Sequence, residues 1–358
     1  MANKKFLPIK IFEKRKDYDE RSTEGGGDSK EPSWVLHGET LSAHSAHLRK
    51  EISEIKGRLE IHEQKQSVFP MLITTTMHGD ALAKSHRGRV TNVLEADGND
   101  NVIGMDGKDR ILSLVESRSI LDSMEQQLCG EENATVISSI SEIEPYQPYV
   151  APFEKENHSY RIRLIDYNDF DRNNLVRIMF EQYCRERNIE VKAKVRFTSD
   201  MIIYRVTIDS ADMLGELRQF EGLYSAEITK PVYAVADDVV ADSGIEVKEP
   251  DDYEEYPIIG VLDSGIEDIP YLASWKSEDR YESYPEKYQG RGHGTAVAGI
   301  IEYGDELNGF STSTLQGVRL FDATVYPNYD IYPEELVENI REAVESNPDI
   351  KIWNMSLG

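Results

Sequence analysis

Ile258-Ile259-Gly260-Val261-Leu262-Asp263-Ser264-Gly265 decides the reading of this 358-residue chain. Four apolar residues surround one glycine, and the run ends in an acid and a Ser-Gly turn. That is the pattern of a short buried strand. It predicts a carboxylate at the carboxyl end of a strand, where open α/β sheets hold their ligand crevice. Downstream, Gly292-His293-Gly294-Thr295 puts a histidine at the first turn of an apolar helix, Ala296-Val297-Ala298-Gly299-Ile300-Ile301. The small residues of that helix permit close approach to a sheet.

The surrounding pattern supports a parallel sheet. Gly317 to Tyr326 reads as the next strand. Tyr332 to Asn347 reads as a helix with Leu336, Ile340 and Val344 inward and Pro333 in its first turn. Ile350 to Trp353 begins another strand, and such alternation of strands and helices implies parallel pairing. An acid that precedes a histidine in this way fits one known triad order, Asp then His then Ser. In that chemistry the buried acid orients the imidazole, and the imidazole takes the proton of a serine hydroxyl and returns it to the leaving amine.

These two motifs, together with Trp353-Asn354-Met355-Ser356-Leu357-Gly358, resemble the subtilisin-like serine peptidases of the S8 family. The resemblance implies an endopeptidase in which Asp263 and His293 are catalytic. It also implies that Ser356, Leu357 and Gly358 hold the backbone of a bound protein or peptide substrate. The family's nucleophilic Ser, in Gly-Thr-Ser-Met/Ala, and its oxyanion Asn follow the third motif, and neither is present in these 358 residues. Asn354 belongs by resemblance to the preceding strand. The chain therefore reads as the amino-terminal part of a longer peptidase, inactive by itself. The alternative is a regulatory or partner-binding module whose peptidase domain is incomplete or inactive. An ATPase partner of the AAA class is implied by resemblance alone. No cofactor or metal ligand is assigned: many relatives bind calcium, but no Asp-x-Asp-x-Asp-Gly loop spacing occurs in the acidic stretch.

Composition narrows the partners. The net charge is -26, with 66 acidic against 40 basic side chains. That disfavours nucleic acid and anionic membrane surfaces, both of which select a basic face. Two cysteines, Cys129 and Cys184, make no disulfide framework. No apolar run is long enough to span a bilayer, and the start has no apolar signal core, so a cytoplasmic protein is expected.

Five regions follow. Residues 1–66 are an amino-terminal arm, basic over 4–16, and an amphipathic helix from Glu39 to Gln66. Leu41, Leu48, Ile52, Ile55 and Leu59 lie on one face of that helix, with His44 and His47 on its polar side. Gly25-Gly26-Gly27 lacks the Gly-Lys-Ser/Thr ending of a phosphate loop and reads as a linker. Residues 67–150 and 151–230 each read β-α-β-β-α-β, the ferredoxin-like order, offset by about 90 residues. The first includes a strand from Ala134 to Ile143. The second includes a helix from Asp171 to Arg187 with Leu175, Ile178, Met179 and Tyr183 on one face. Ser117 and Ser210 (or the acids beside them) stand where they would cap helices.

Residues 231–256 form an acidic, flexible connector, and residues 257–358 the amino-terminal half of the catalytic domain. By resemblance the second unit stands where the family carries its inhibitory propeptide. The extended stretch from Pro231 to Ala236 is then expected to pair with Ser356 to Gly358 by strand addition, and the chain to be cut after it by the peptidase itself once the missing Ser is present. Glu267 to Gln289 reads as a polar loop whose Tyr281, Tyr284 and Tyr288 either line the cleft or sit on the surface.

Overall fold

The apolar stripe Leu41, Leu48, Ile52, Ile55 and Leu59 is buried along α1 (Gly38–Gln64) in the computed structural model, as its spacing requires. The structure describes residues 31–65, 67–95, 98–198, 201–232, 245–251, 253–309 and 317–357. The basic arm, the triple glycine, Tyr233 to Ala236 and Gly358 lie outside these residues. The chain divides into two compact units, the first made of residues 1–148 with 166–174, the second of 149–165 with 175–358.

In the first unit α1 packs with β1 (Met71–Met77), α2 (Lys84–Leu94), β2 (Val102–Asp106), β3 (Arg110–Val115), α3 (Arg118–Gln127), α4 (Ala134–Ser139) and β4 (Ile140–Pro145). The antiparallel sheet has the order β2-β3-β1-β4, a split βαβ arrangement. Ile73, Met77, Val90, Leu121 and Met124 join the α1 stripe in one core, where each fully buried side chain of this size contributes about 1.5–3 kcal/mol. The polar side of α1 also acts. His44 Nε2 lies 2.7 Å from Ile140 O, and Glu51 accepts from Ile143 N at 2.9 Å, so the helix takes up polar groups of edge strand β4.

Two expectations fail here. Ala134 to Ser139 is helical, not extended, and the strand begins only at Ile140. Ser138 and Ser139 bond back to the carbonyls of Ala134 and Thr135, four residues earlier, and Val136, Ile137 and Ile140 are buried at helical spacing. Ser117 bonds to Ser119 and makes no cap, whereas Ser210 accepts from Met213 N as expected.

The second unit begins with β5 (Tyr149–Val150) and continues with β6 (Ser159–Leu164), the later turns of α5 (Phe170–Glu186), β7 (Glu190–Arg196), β8 (Ile202–Thr207), α6 (Ala211–Leu217) and β9 (Leu223–Ile228). Its sheet order, β5-β9-β6-β8-β7, repeats the first unit's order with β5 added beside β9. The inward face of α5 is Val176, Phe180 and Cys184, while Leu175 and Ile178 point outward. Two apolar stripes run along this helix, and the one carrying Phe180 is chosen because that ring packs on Tyr204 and Phe220, at 4.9 and 5.4 Å between centroids.

A second sheet in this unit is parallel throughout. Its strands are β10 (Ile258–Asp263), β11 (Tyr281–Glu282), β12 (Arg319–Thr324) and β13 (Ile352–Asn354), in the order β11-β12-β10-β13. Helix α7 (Gly292–Asn308) packs on one face through Ala298 and Tyr303 with Val261, Leu320 and Trp275. Helix α8 (Pro333–Ser346) covers the other with Leu336, Ile340 and Ala343 on Leu262, Phe321 and Ala323. Gly260 lets Trp353 lie flat against the sheet, since a Cβ there would stand 2.2 Å from the ring.

The stretch expected to be a free connector is bound at both described ends. Val232 pairs antiparallel with Ile331, exchanging bonds of 2.7 and 2.9 Å, and does not pair with Ser356 and Leu357. Beyond the gap, Lys248 N donates to Tyr303, Lys248 O accepts from Trp275, and the Lys248 ammonium stands 3.3 Å from the buried Glu302 carboxylate and 3.1 Å from Glu306. The two sheets also meet. Strand β7 packs against α8, the Arg205 guanidinium stacks over Tyr332 at 3.8 Å, and Arg205 Nε lies 3.9 Å from the fully buried Glu334.

Burial is the main cause that pushes the Glu302 carboxyl above its ordinary range, against the Val318 N–H and Lys248. The native state then binds this proton more tightly than the unfolded chain does. Its contribution to stability grows as pH falls from neutral toward the ordinary carboxylate range. Thermal unfolding at pH 7 and pH 5.5 should show this component in the parent and its loss in Glu302→Gln.

Candidate active site

Strand β10 delivers Asp263 to the carboxyl end of the parallel sheet, and α7 begins there. His293 Nδ1 lies 3.0 and 2.9 Å from the two Asp263 carboxylate oxygens. The carboxylate is buried, its side chain 3 % exposed, while the imidazole is 32 % exposed. A carboxylate only accepts, so Nδ1 carries a proton and donates, and in the neutral imidazole the lone pair is then on Nε2. The geometry thus fixes one tautomer of a half-open imidazole against a desolvated negative charge.

The turn after Asp263 is tied down residue by residue. Ser264 N donates to Asp263 Oδ1 at 2.7 Å, and the Ser264 hydroxyl reaches Asp263 Oδ1 at 3.1 Å and Gly290 O at 2.5 Å. Ile266 N donates to Asp322 Oδ2 at 3.1 Å, and Glu267 N to Thr295 Oγ1 at 2.8 Å. Val325 N donates to Asp263 O at 2.8 Å, continuing the register in which Asp263 faces Thr324 on β12. Gly294 is required by close approach. A Cβ there would stand 2.3 Å from Gly265 O and 3.1 Å from Asp263 Cβ.

Beside this couple lie two loops. The stretch expected to be a plain polar loop contributes β11 to the sheet edge, then a 3-10 turn, Glu286–Tyr288. Tyr284 is buried, donates to Glu335 and accepts from Asn339, so it is neither a surface ring nor free to line a cleft. Burial holds its hydroxyl well above the ordinary tyrosine range. Tyr281 is half-buried, and Tyr288 is exposed with its ring edge-on to Tyr329.

Ser356 and Leu357 follow β13 without continuing it: the Ser356 hydroxyl donates to Asn354 at 3.0 Å, and Leu357 packs on Tyr284, Tyr326 and Ile331. Among the described residues no serine hydroxyl bonds to His293, and no group of three or more His, Cys, Asp or Glu side chains is placed to hold a metal ion. Cys184 is buried, with its thiol pushed up to about 12 by desolvation, so it is no candidate nucleophile.

The sequence of residues 240–358 matches the family model described as Subtilase family, Peptidase_S8. This carboxyl-terminal portion is a subtilase family domain. The match starts within the stretch expected to be connector, and Ile245 and Lys248 pack on the core of the subtilase domain. No curated protein matches the chain. A crystal structure named for a glycine cleavage system transcriptional repressor is similar over 42 % of this chain and 89 % of its own, at 18 % identity and a TM-score of 0.18. No helix among the described residues is long and apolar enough to cross a membrane.

The sequence paired Asp263 with His293, which the structure brings within hydrogen-bonding distance, and passed over the residues that hold the turn of the subtilase domain. Asp322 carried a signal, an acid in the middle of the apolar run Val318 to Val325. Thr295 carried another, as part of Gly-His-Gly-Thr. A Gly294→Ala variant should force α7 away from the turn. We expect destabilisation of about 1–3 kcal/mol, the usual cost of overpacking, with the Asp263–His293 distance lengthened in a crystal structure. An unchanged melting curve and distance would contradict the packing argument.

Proposed function

We propose that residues 240–358 belong to a serine endopeptidase in which Asp263 orients and His293 is the general base and then the general acid. The observation that carries this reading is the two-oxygen contact between a buried Asp263 and the half-exposed His293 at the carboxyl end of a parallel sheet. Asp263 would hold Nδ1–H and stabilise the imidazolium, and Nε2 would take a hydroxyl proton and return it to the leaving amine. Ser356, Leu357 and Gly358 would hold the substrate backbone. The nucleophile and the oxyanion donor would come from sequence that these residues do not contain.

The test is to express the gene's whole reading frame and treat it with a fluorophosphonate. A labelled serine in a Gly-Thr-Ser context is expected. Asp263→Asn should lower peptide hydrolysis by about 10⁴-fold, the scale seen when a triad carboxylate is neutralised. Hydrolysis that survives His293→Ala would overturn the proposal.

The same reading makes residues 151–230 a propeptide-like unit whose sheet rests on α8. What supports it is the Arg205, Tyr332 and Glu334 contact and the Val232–Ile331 pair, which carries the outgoing chain toward the loop after β12. Removing the cation from a buried pair leaves an uncompensated charge. Arg205→Ala should therefore cost about 3–5 kcal/mol in chemical denaturation, and adding Glu334→Gln should recover most of it. Equal losses in the single and double variants would count against this docking.

A further inference from the structure

We propose that Asp322 and Lys276 form a positioning pair that fixes the turn after Asp263 and thereby aims its carboxylate at His293. The inference rests on reading Asp263 and His293 as a catalytic couple. Asp322 is 5 % exposed and stands in the middle of β12, on the sheet face that α7 covers. Its Oδ2 accepts from Ile266 N at 3.1 Å and lies 3.8 Å from Lys276 Nζ. Lys276 comes from the segment that adds to β12 beside Leu320. Its ammonium donates to Ile266 O at 2.9 Å and to Asp268 at 2.7 Å. Both backbone polar groups of one residue, Ile266, are thus held by two opposite charges from different parts of the chain.

The path from that clamp to the couple is short. Ser264 N, two residues before Ile266, donates to Asp263 Oδ1 at 2.7 Å, the oxygen that also faces His293 Nδ1. A rotation of the Ser264–Gly265–Ile266 backbone would turn this donor and release the carboxylate rotor. The Ser264 hydroxyl on Gly290 O and the contact of Gly265 O with Gly294 fix the near side of the turn. Asp322 and Lys276 fix its far side.

Stability alone does not account for the pair. A buried ion pair is generally no better than apolar side chains of equal volume. Here Asp322 Oδ1 has no hydrogen-bond partner among the described residues, so the carboxylate is incompletely satisfied. What the pair supplies is direction: Ile266 is a wholly buried side chain that leaves its N–H and C=O to be met inside the domain.

The test uses the whole chain and the hydrogen-bonded Nδ1 proton of His293, observed by NMR, with its exchange rate against solvent. Asp322→Asn keeps an acceptor for Ile266 N and should keep the resonance. Asp322→Leu and Lys276→Met should each speed exchange by about tenfold, the scale of one lost hydrogen bond. The double variant Asp322→Leu/Lys276→Met removes both charges. It is expected to melt near the parent temperature and still exchange fast. A double variant with the parent's resonance and exchange rate would show that the pair serves stability only and overturn the proposal. The resonance reads the couple whether or not the gene product hydrolyses peptides, so failure of the peptidase reading would appear separately, as absent fluorophosphonate labelling.

Discussion

A buried carboxylate facing a half-open imidazole is the constraint on which the carboxyl-terminal sheet depends. Both oxygens of Asp263 reach His293 Nδ1, and Ser264 N donates to Oδ1. Desolvating such a charge without partners would be prohibitive. The chain meets the need with a turn bound at Ser264, Ile266 and Glu267 and with a helix that starts beside it. Gly294 is the steric counterpart of the electrostatic demand, because any side chain there would keep helix and turn apart.

The same economy recurs at the other end of α7. Lys248 is held by Tyr303, Trp275, Glu302 and Glu306, so the chain that enters β10 is already attached to the helix that carries His293. At the carboxyl end of the parallel sheet, Val232 is paired with Ile331 in the loop that follows β12. Among the described residues the buried Glu334 carboxylate has no hydrogen-bond partner, and Arg205, stacked on Tyr332, stands 3.9 Å from it. Such a pair specifies where a sheet rests on a helix better than it stabilises the contact.

How much of this could be read from residues alone depended on range. The couple was legible because Asp263 and His293 each sit in a local phrase, an apolar run ending in Asp-Ser-Gly and a Gly-His-Gly-Thr helix start. The two β-α-β-β-α-β orders were legible from periodicity, and the two sheets share one strand order apart from the added β5. Residues 134–139 misled because Ala-Thr-Val-Ile-Ser-Ser fits either period, and the serines' bonds back along the chain belong to the helix. The face of α5 misled because it carries two apolar stripes, and the choice is made by Tyr204 and Phe220, distant in sequence. Tyr284 gave no local sign of being a buried polar group, since Glu335 lies 51 residues away, and Asp322 showed only as an acid within an apolar run, its partner Ile266 lying 56 residues away.

A neutron crystal structure of the 358-residue chain tests the central claim most directly. The account predicts a deuteron on His293 Nδ1 within hydrogen-bonding distance of both Asp263 oxygens, and an unprotonated Nε2 facing open space. A ring turned so that Nε2 meets Asp263, or an imidazole held away from the carboxylate altogether, would contradict it.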